Sequence, residues 1–340
     1  MTELRVGTRK VSSSSTRSAR SAPAPTSPGD HTPHPAIILP PMPASPAPTA
    51  RRSCLSVPGS SAAMLAKAPL RGADEVVVDL EDAVAASAKD EARGTVVAAL
   101  REPQWEGVST SVRVNAPRTP WCHSDIVAMA SAERGPGSII VPKVESRGDL
   151  EFVDRLLDGA EAAAQTGRAP LRVQALIETA AGVARLDEIA GASPRLDALI
   201  LGYADLSASL GRAAGASAEL DSWRSIQDAI LVAARTHDVA AIDGPYLGIK
   251  VDEGFTAAAE RARDMGFDGK WAIHPAQVAA LNALFTPSEE EVEHARAVID
   301  ALAAAERDGG AGAVALDGQM LDEAVRVAAL RVLARAGVDT

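Results

Sequence analysis

Beyond residue 52, eight short, mainly apolar runs alternate with longer Ala-rich stretches. The runs fall at 54–57, 75–78, 111–114, 138–141, 173–177, 198–201, 239–242 and 271–273. Most lack the polar/apolar alternation of a half-exposed sheet, as expected of parallel strands covered on both faces. Helices are expected between them, at 62–70, 83–100, 123–133, 149–164, 183–190, 222–236 and 253–265. Eight buried strands separated by helices predict an α/β fold, specifically a closed (β/α)8 TIM barrel, although an open doubly wound sheet gives the same alternation. A barrel takes about 250 residues. The 340 residues here accordingly divide into a tail (1–50), a barrel (51–305) and a C-terminal segment (306–340).

The tail holds ten of the 22 prolines and a Ser/Arg-rich stretch at 11–17, so it is expected to be disordered. The apolar residues 37–39 are too few for a signal-peptide core. Two origins fit this basic, acid-poor composition: an upstream extension or misassigned start, and an organellar transit peptide. Residues 1–52 carry seven Lys/Arg against two acids, a net of +5, and the remainder 27 against 43, a net of −16. That acidic body argues against nucleic-acid binding. No apolar run reaches the roughly 18 residues of a membrane span. Cys54 and Cys122 cannot form a disulfide framework, which points to a reducing, cytoplasmic setting.

Chemistry-bearing residues follow the apolar runs. Asp79, Glu81 and Asp82 follow the second; Arg113 and Asn115 end the third; Lys143 follows the fourth. Glu178, Asp205, Asp243 and His274 follow the fifth to eighth. In a barrel these positions converge on the carboxyl-end face, where the active sites of this fold lie. Clustered carboxylates repel one another, so a basic residue or a divalent cation is expected among them. An all-oxygen set suits Mg²⁺, with Mn²⁺ as the alternative. The chain has no zinc-type His/Cys spacing, no phosphate-binding Gly-rich loop and no serine-nucleophile elbow.

Seven segments carry a resemblance. Arg52-Ser-Cys-Leu-Ser-Val-Pro-Gly-Ser60, Val77-Val-Asp-Leu-Glu-Asp-Ala-Val84, Val112-Arg-Val-Asn115 and Val141-Pro-Lys143 are four of them. The others are Ile177-Glu-Thr-Ala-Ala-Gly182, Gly202-Tyr-Ala-Asp-Leu206 and Trp271-Ala-Ile-His-Pro275. Together they resemble the citrate lyase β-subunit-like CoA-ester lyases of the HpcH/HpaI aldolase family, in the right order over about residues 50–340. Asp243-Gly-Pro245 and Phe285-Thr-Pro-Ser-Glu289 look most like the malyl-CoA and β-methylmalyl-CoA (citramalyl-CoA) lyases of that family.

The resemblance implies reversible Claisen-type cleavage of a 3-carboxy-3-hydroxyacyl-CoA to a 2-oxo acid (glyoxylate or pyruvate) and acetyl-CoA or propionyl-CoA. Glu178 and Asp205 are then the implied Mg²⁺ ligands. Arg113 is implied to stabilise the developing oxyanion, with Asp79 and Glu81 orienting the groups around it. Lys67 resembles a position that contacts CoA phosphates, although Ser61 stands where relatives can carry a basic contact. Asp322, in Gly318-Gln-Met-Leu-Asp-Glu323, resembles the acid–base residue of a C-terminal lid that reaches a neighbouring subunit, implying a trimer or hexamer. The hinge would be the Gly-rich stretch 308–312. Plainer readings exist: helix caps for Asp205, Asp322 and His274, an ion pair for Arg113 or Lys143, a solvated surface lysine for Lys67. Alternative activities are a malyl-CoA thioesterase, the β subunit of a citrate lyase complex acting on an acyl carrier protein, and a non-catalytic interaction protein.

Overall fold

The structure, a computed structural model, describes residues 50–212, 220–307, 314–316 and 319–338. The expected disordered tail and the 308–312 hinge lie outside the described residues. The eight apolar runs are β1 (Ser53–Pro58), β2 (Glu75–Asp79), β3 (Thr110–Arg113), β4 (Ser138–Val141), β5 (Arg172–Ile177), β6 (Leu196–Leu201), β7 (Ala240–Asp243) and β8 (Gly269–Ala272). Each pairs in parallel with the next, and β8 closes on β1 through Cys54 opposite Trp271. The barrel is closed, which removes the open-sheet alternative.

Side-chain parity explains why the runs look uniformly apolar. One set of alternating residues (Val76, Val78, Val112, Ile139, Val141, Val173, Leu199, Ala241, Ala272) faces the helices. The other set (Cys54, Val77, Ile140, Leu176, Ile200, Ile242, Trp271) fills the bore. Both faces exclude water, so neither needs polar residues. The bore does carry a polar layer at its amino end. Gln174 donates to Glu75 (2.7 Å) and Ser138 (2.9 Å), and Arg51 pairs with Glu75 (3.3 Å) and Asp197 (2.9 Å).

The outer helices are α1 (Ala62–Leu65), α2 (Lys89–Ala99), α3 (Cys122–Ser131), α4 (Arg147–Ala164), α5 (Ala180–Val183) and α6 (Leu186–Ala190), then α7 (Tyr203–Ser209), α8 (Arg224–Thr236), α9 (Glu253–Met265) and α10 (Pro275–Phe285). Several expected helices are shorter than the sequence suggests, and 183–190 divides between α5 and α6. Pro69 falls where 62–70 would continue as an α-helix, and a 3-10 turn over Ala68–Arg71 follows instead. The stretch 83–100 becomes α-helical only at Lys89. C-terminally, α11 (Glu289–Arg307) packs on α12 (Glu323–Arg335) through Ala295, Val298, Leu302, Leu321, Ala329 and Leu333. Between them β9 (Val314–Leu316) and β10 (Gln319–Leu321) pair antiparallel.

Candidate active site

Asp79 ends β2 with the same parity as Val77, so its carboxylate enters the bore. It accepts both Nε (2.8 Å) and Nη2 (2.6 Å) of Arg113, and the backbone N–H groups of Glu81 (2.8 Å) and Ala83 (3.1 Å). Both oxygens are thus engaged twice, which makes Asp79 a rigid holder for the guanidinium. Burial would lower the pKa of Arg113; the hydrogen bond and charge of Asp79, with Glu81 and Glu178, outweigh it and raise it. Trp271 lies beneath, its ring centroid 5.6 Å from the guanidinium carbon.

Glu81 bridges two cations, with Oε2 3.1 Å from Arg113 and Oε1 accepting from Lys143 Nζ at 2.6 Å. Burial nevertheless raises its pKa. Lys143 is the hub of the other half. Its backbone is left-handed (φ 54°), which a non-Gly residue adopts only under constraint. From there its N–H donates to Glu178 Oε1 (3.0 Å), while Nζ lies 3.5 Å from Asp205, 3.8 Å from Glu178 and 3.9 Å from Asp82. Lys143's pKa is raised: burial lowers it, but Glu81, Glu178 and Asp82 prevail.

Glu178, directly after β5, is 2% exposed. Burial, with Lys143 opposing and Glu81 and Asp205 adding to it, pushes its pKa up to about 8. Gly202 makes room for it: a Cβ there would stand 2.6 Å from Glu178 Cβ and 2.8 Å from Oε2. Asp205 lies in the first turn of α7, capped by Gly202 rather than by Asp205 itself, with its side chain partly exposed. A buried carboxylate biased toward protonation and a second, half-open one converge on a single cationic centre. Among the described residues no group of three or more His, Cys, Asp and Glu is arranged to hold a metal. Magnesium, however, takes one or two carboxylates and completes its shell with water and substrate oxygens, so the all-oxygen pair fits it.

The structure therefore brings Asp79, Glu81, Arg113, Glu178 and Asp205 into one ring and adds Lys143. Asp322 stands apart from the ring's pairings: within one chain it caps α12, accepting Val325 N–H at 3.1 Å. Lys67 is exposed after α1. His274 accepts Ala276 N–H through Nδ1 (3.2 Å), capping α10. Asp243 departs from expectation. It shares the parity of Ala241, so it lies outside the barrel wall. There it pairs with Lys270 and accepts from Tyr203, which in turn accepts from Gln227 (2.8 Å). A cavity of about 150 Å³ beside them includes Trp223 and Tyr246 and none of the ring's carboxylates.

One supporting residue escaped the sequence reading. Lys89, buried at the start of α2, donates to the carbonyls of Leu80 (3.1 Å) and Glu81 (2.9 Å) and stands over Trp121. Its signal was a lysine at a helix amino terminus, where the dipole disfavours positive charge. Asn115 donates to Leu80 O (3.0 Å) and Asp125 (2.6 Å), fixing the same loop.

A family model described as HpcH/HpaI aldolase/citrate lyase matches residues 52–275. An L-malyl-CoA/β-methylmalyl-CoA lyase of Rhodobacter capsulatus is 39% identical over 295 residues, covering 82% of this chain and 92% of the relative. A (3S)-malyl-CoA thioesterase of Cereibacter sphaeroides is 38% identical over 288 residues, covering 84% and 94%. Among solved structures, the CitE protein of Mycobacterium tuberculosis, in complex with magnesium, acetoacetate and coenzyme A, is 33% identical with a TM-score of 0.68, covering 85% of this chain and 98% of that one.

Proposed function

The chain belongs to the HpcH/HpaI aldolase/citrate lyase family, and we propose that it is a magnesium-dependent carbon–carbon lyase that cleaves a 3-carboxy-3-hydroxyacyl-CoA reversibly to a 2-oxo acid and an acyl-CoA. Malyl-CoA and β-methylmalyl-CoA are the favoured substrates, giving glyoxylate with acetyl-CoA or propionyl-CoA; citramalyl-CoA, giving pyruvate, differs by one methyl. The carrying observation is the division of the ring: Arg113 locked by Asp79 on one side, Glu178 and Asp205 converging beside it on the other.

Glu178 and Asp205 would hold the ion, which supplies Lewis acidity toward the substrate carboxylate and hydroxyl oxygens. In the cleavage direction the hydroxyl passes its proton to water and its oxygen becomes the oxo group. The bond to the carbon beside the thioester breaks, its electrons pass into the thioester enolate, and that carbon then takes a proton. Arg113 is the donor for the negative charge that develops. Because Asp79 holds it beforehand, little reorganisation accompanies the step. Glu81 keeps Arg113 and Lys143 at a fixed spacing. Asp322 of a neighbouring subunit in a homo-oligomer is our proton donor to the enolate carbon, acting as base in synthesis, and Lys67 our contact for CoA phosphate. Cys54 and Cys122 are free and buried, which supports a cytoplasmic setting.

Thioester hydrolysis is the second reading, favoured by the relative named as a thioesterase. Incubating the protein with malyl-CoA and Mg²⁺ and identifying the CoA products by mass spectrometry separates the two. Acetyl-CoA and glyoxylate support the lyase; free CoA and malate without acetyl-CoA overturn it.

A further inference from the structure

We propose that Lys143 is a built-in counter-ion of the metal seat, holding the carboxylate ring together without metal and weakening metal binding by competing for the same oxygens. The inference rests on the reading of Glu178 and Asp205 as the seat. Four carboxylates lie within 4.0 Å of its ammonium: Glu81 at 2.6 Å, Asp205 at 3.5 Å, Glu178 at 3.8 Å and Asp82 at 3.9 Å. Any cation bound by Glu178 and Asp205 shares their oxygens with this one.

The backbone supports the assignment. Lys143 holds φ 54°, a left-handed conformation that Gly adopts without strain and that a long side chain resists. That geometry aims the N–H at Glu178 Oε1 (3.0 Å) and the side chain across the ring to Glu81. Strain kept at such a position points to a function beyond packing. Charge bookkeeping gives the reason. Among the described residues, Asp79, Glu81, Asp82, Glu178 and Asp205 pair with Arg113 and Lys143 alone, and Asp79 occupies most of Arg113. Without Lys143, Glu178 and Asp205 would face each other with no cation within 4.0 Å among the described residues, and Asp82 would keep only Arg113 at 4.0 Å. With it, an incoming Mg²⁺ meets a like charge that must remain on Glu81 or withdraw.

The test compares wild type with Lys143→Met, which removes the charge, Lys143→Gly, which relieves the backbone while keeping the N–H on Glu178, and Lys143→Arg, which keeps the charge. Mg²⁺ affinity is measured by calorimetry and Mn²⁺ affinity by electron paramagnetic resonance, with melting temperatures taken in chelator and in saturating Mg²⁺. Lys143→Met and Lys143→Gly should bind metal about tenfold tighter or more, and Lys143→Arg near wild type. Lys143→Met should melt earlier than wild type in chelator and recover most of that loss in Mg²⁺; a merely structural lysine would lose equally in both. Unchanged or weaker binding in both neutral variants overturns the counter-ion role while leaving the seat intact. A wild type that binds neither ion overturns the seat and this inference with it.

Discussion

A buried glutamate with its pKa pushed up to about 8 carries a definite pH signature. Unfolded, Glu178 titrates near the ordinary carboxylate value of about 4.3. The folded, metal-free protein therefore binds that proton more tightly than the unfolded chain does. Its stabilising effect is complete at acid pH and is lost as pH rises through about 8. In chelator the melting temperature should fall from pH 6 to 8, and Glu178→Gln should flatten that fall. A wild-type melting temperature flat across this range would contradict it. Metal must displace the same proton, so Mg²⁺ affinity should rise up to about tenfold per pH unit and level off above about pH 8. Arg113 gives the second prediction at this scale. Its Nε/Nη2 fork on Asp79 is a shape that a lysine ammonium cannot reproduce. Arg113→Lys should lower kcat by about 10²–10³-fold with a small change in metal affinity; a kcat near wild type would remove Arg113 from the chemistry.

Loops rather than strands decide whether this ring forms. Gly202 lets the strand-to-helix turn before α7 pass beside Glu178, and Gly202→Ala brings a Cβ to 2.6 Å from Glu178 Cβ. The substitution should cost about 1–3 kcal/mol of stability and weaken Mg²⁺ binding by displacing one ligand; calorimetry showing wild-type affinity would mean that the turn absorbs the clash. The sequence revealed the strands because each is buried on both sides, and the carboxyl-end residues because charge interrupts an apolar run. What it did not reveal was which way a strand-end residue points. The seventh run, 239–242, is shifted by one from β7, so Asp243 looked like a member of the face although Ala241 parity turns it outward to Lys270. Lys143 was legible as a charged residue after a strand, but not as the hub, because its left-handed backbone has no glycine to announce it. The resemblance named Glu178 and Asp205. Only the fold shows them meeting around one ammonium.

At the scale of the whole molecule, closing eight strands gathers residues from positions 79 to 205 into one net-acidic ring. The boundary of the folded unit is set by Arg51, paired with Glu75 and Asp197, and by Arg52, whose fork closes on Asp74. A chain starting at residue 50 should keep kcat, Mg²⁺ affinity and melting temperature. One starting at residue 53 loses both arginines, leaves Glu75 buried without its counter-ion, and should melt several degrees lower. Asp322 poses the remaining question of assembly, because among the described residues of a single chain it caps α12 and pairs with no residue of the ring. If a neighbour's Asp322 completes each site, Asp322→Asn and Glu178→Gln are inactive for reasons located on different subunits. Random mixing of the two then rebuilds about one site in four with both residues native. Activity should accordingly reappear when the two variants are unfolded and refolded together, and stay absent when they are refolded apart and then mixed below the exchange rate. No recovery after co-refolding would place Asp322 on its own chain's site or outside the chemistry altogether.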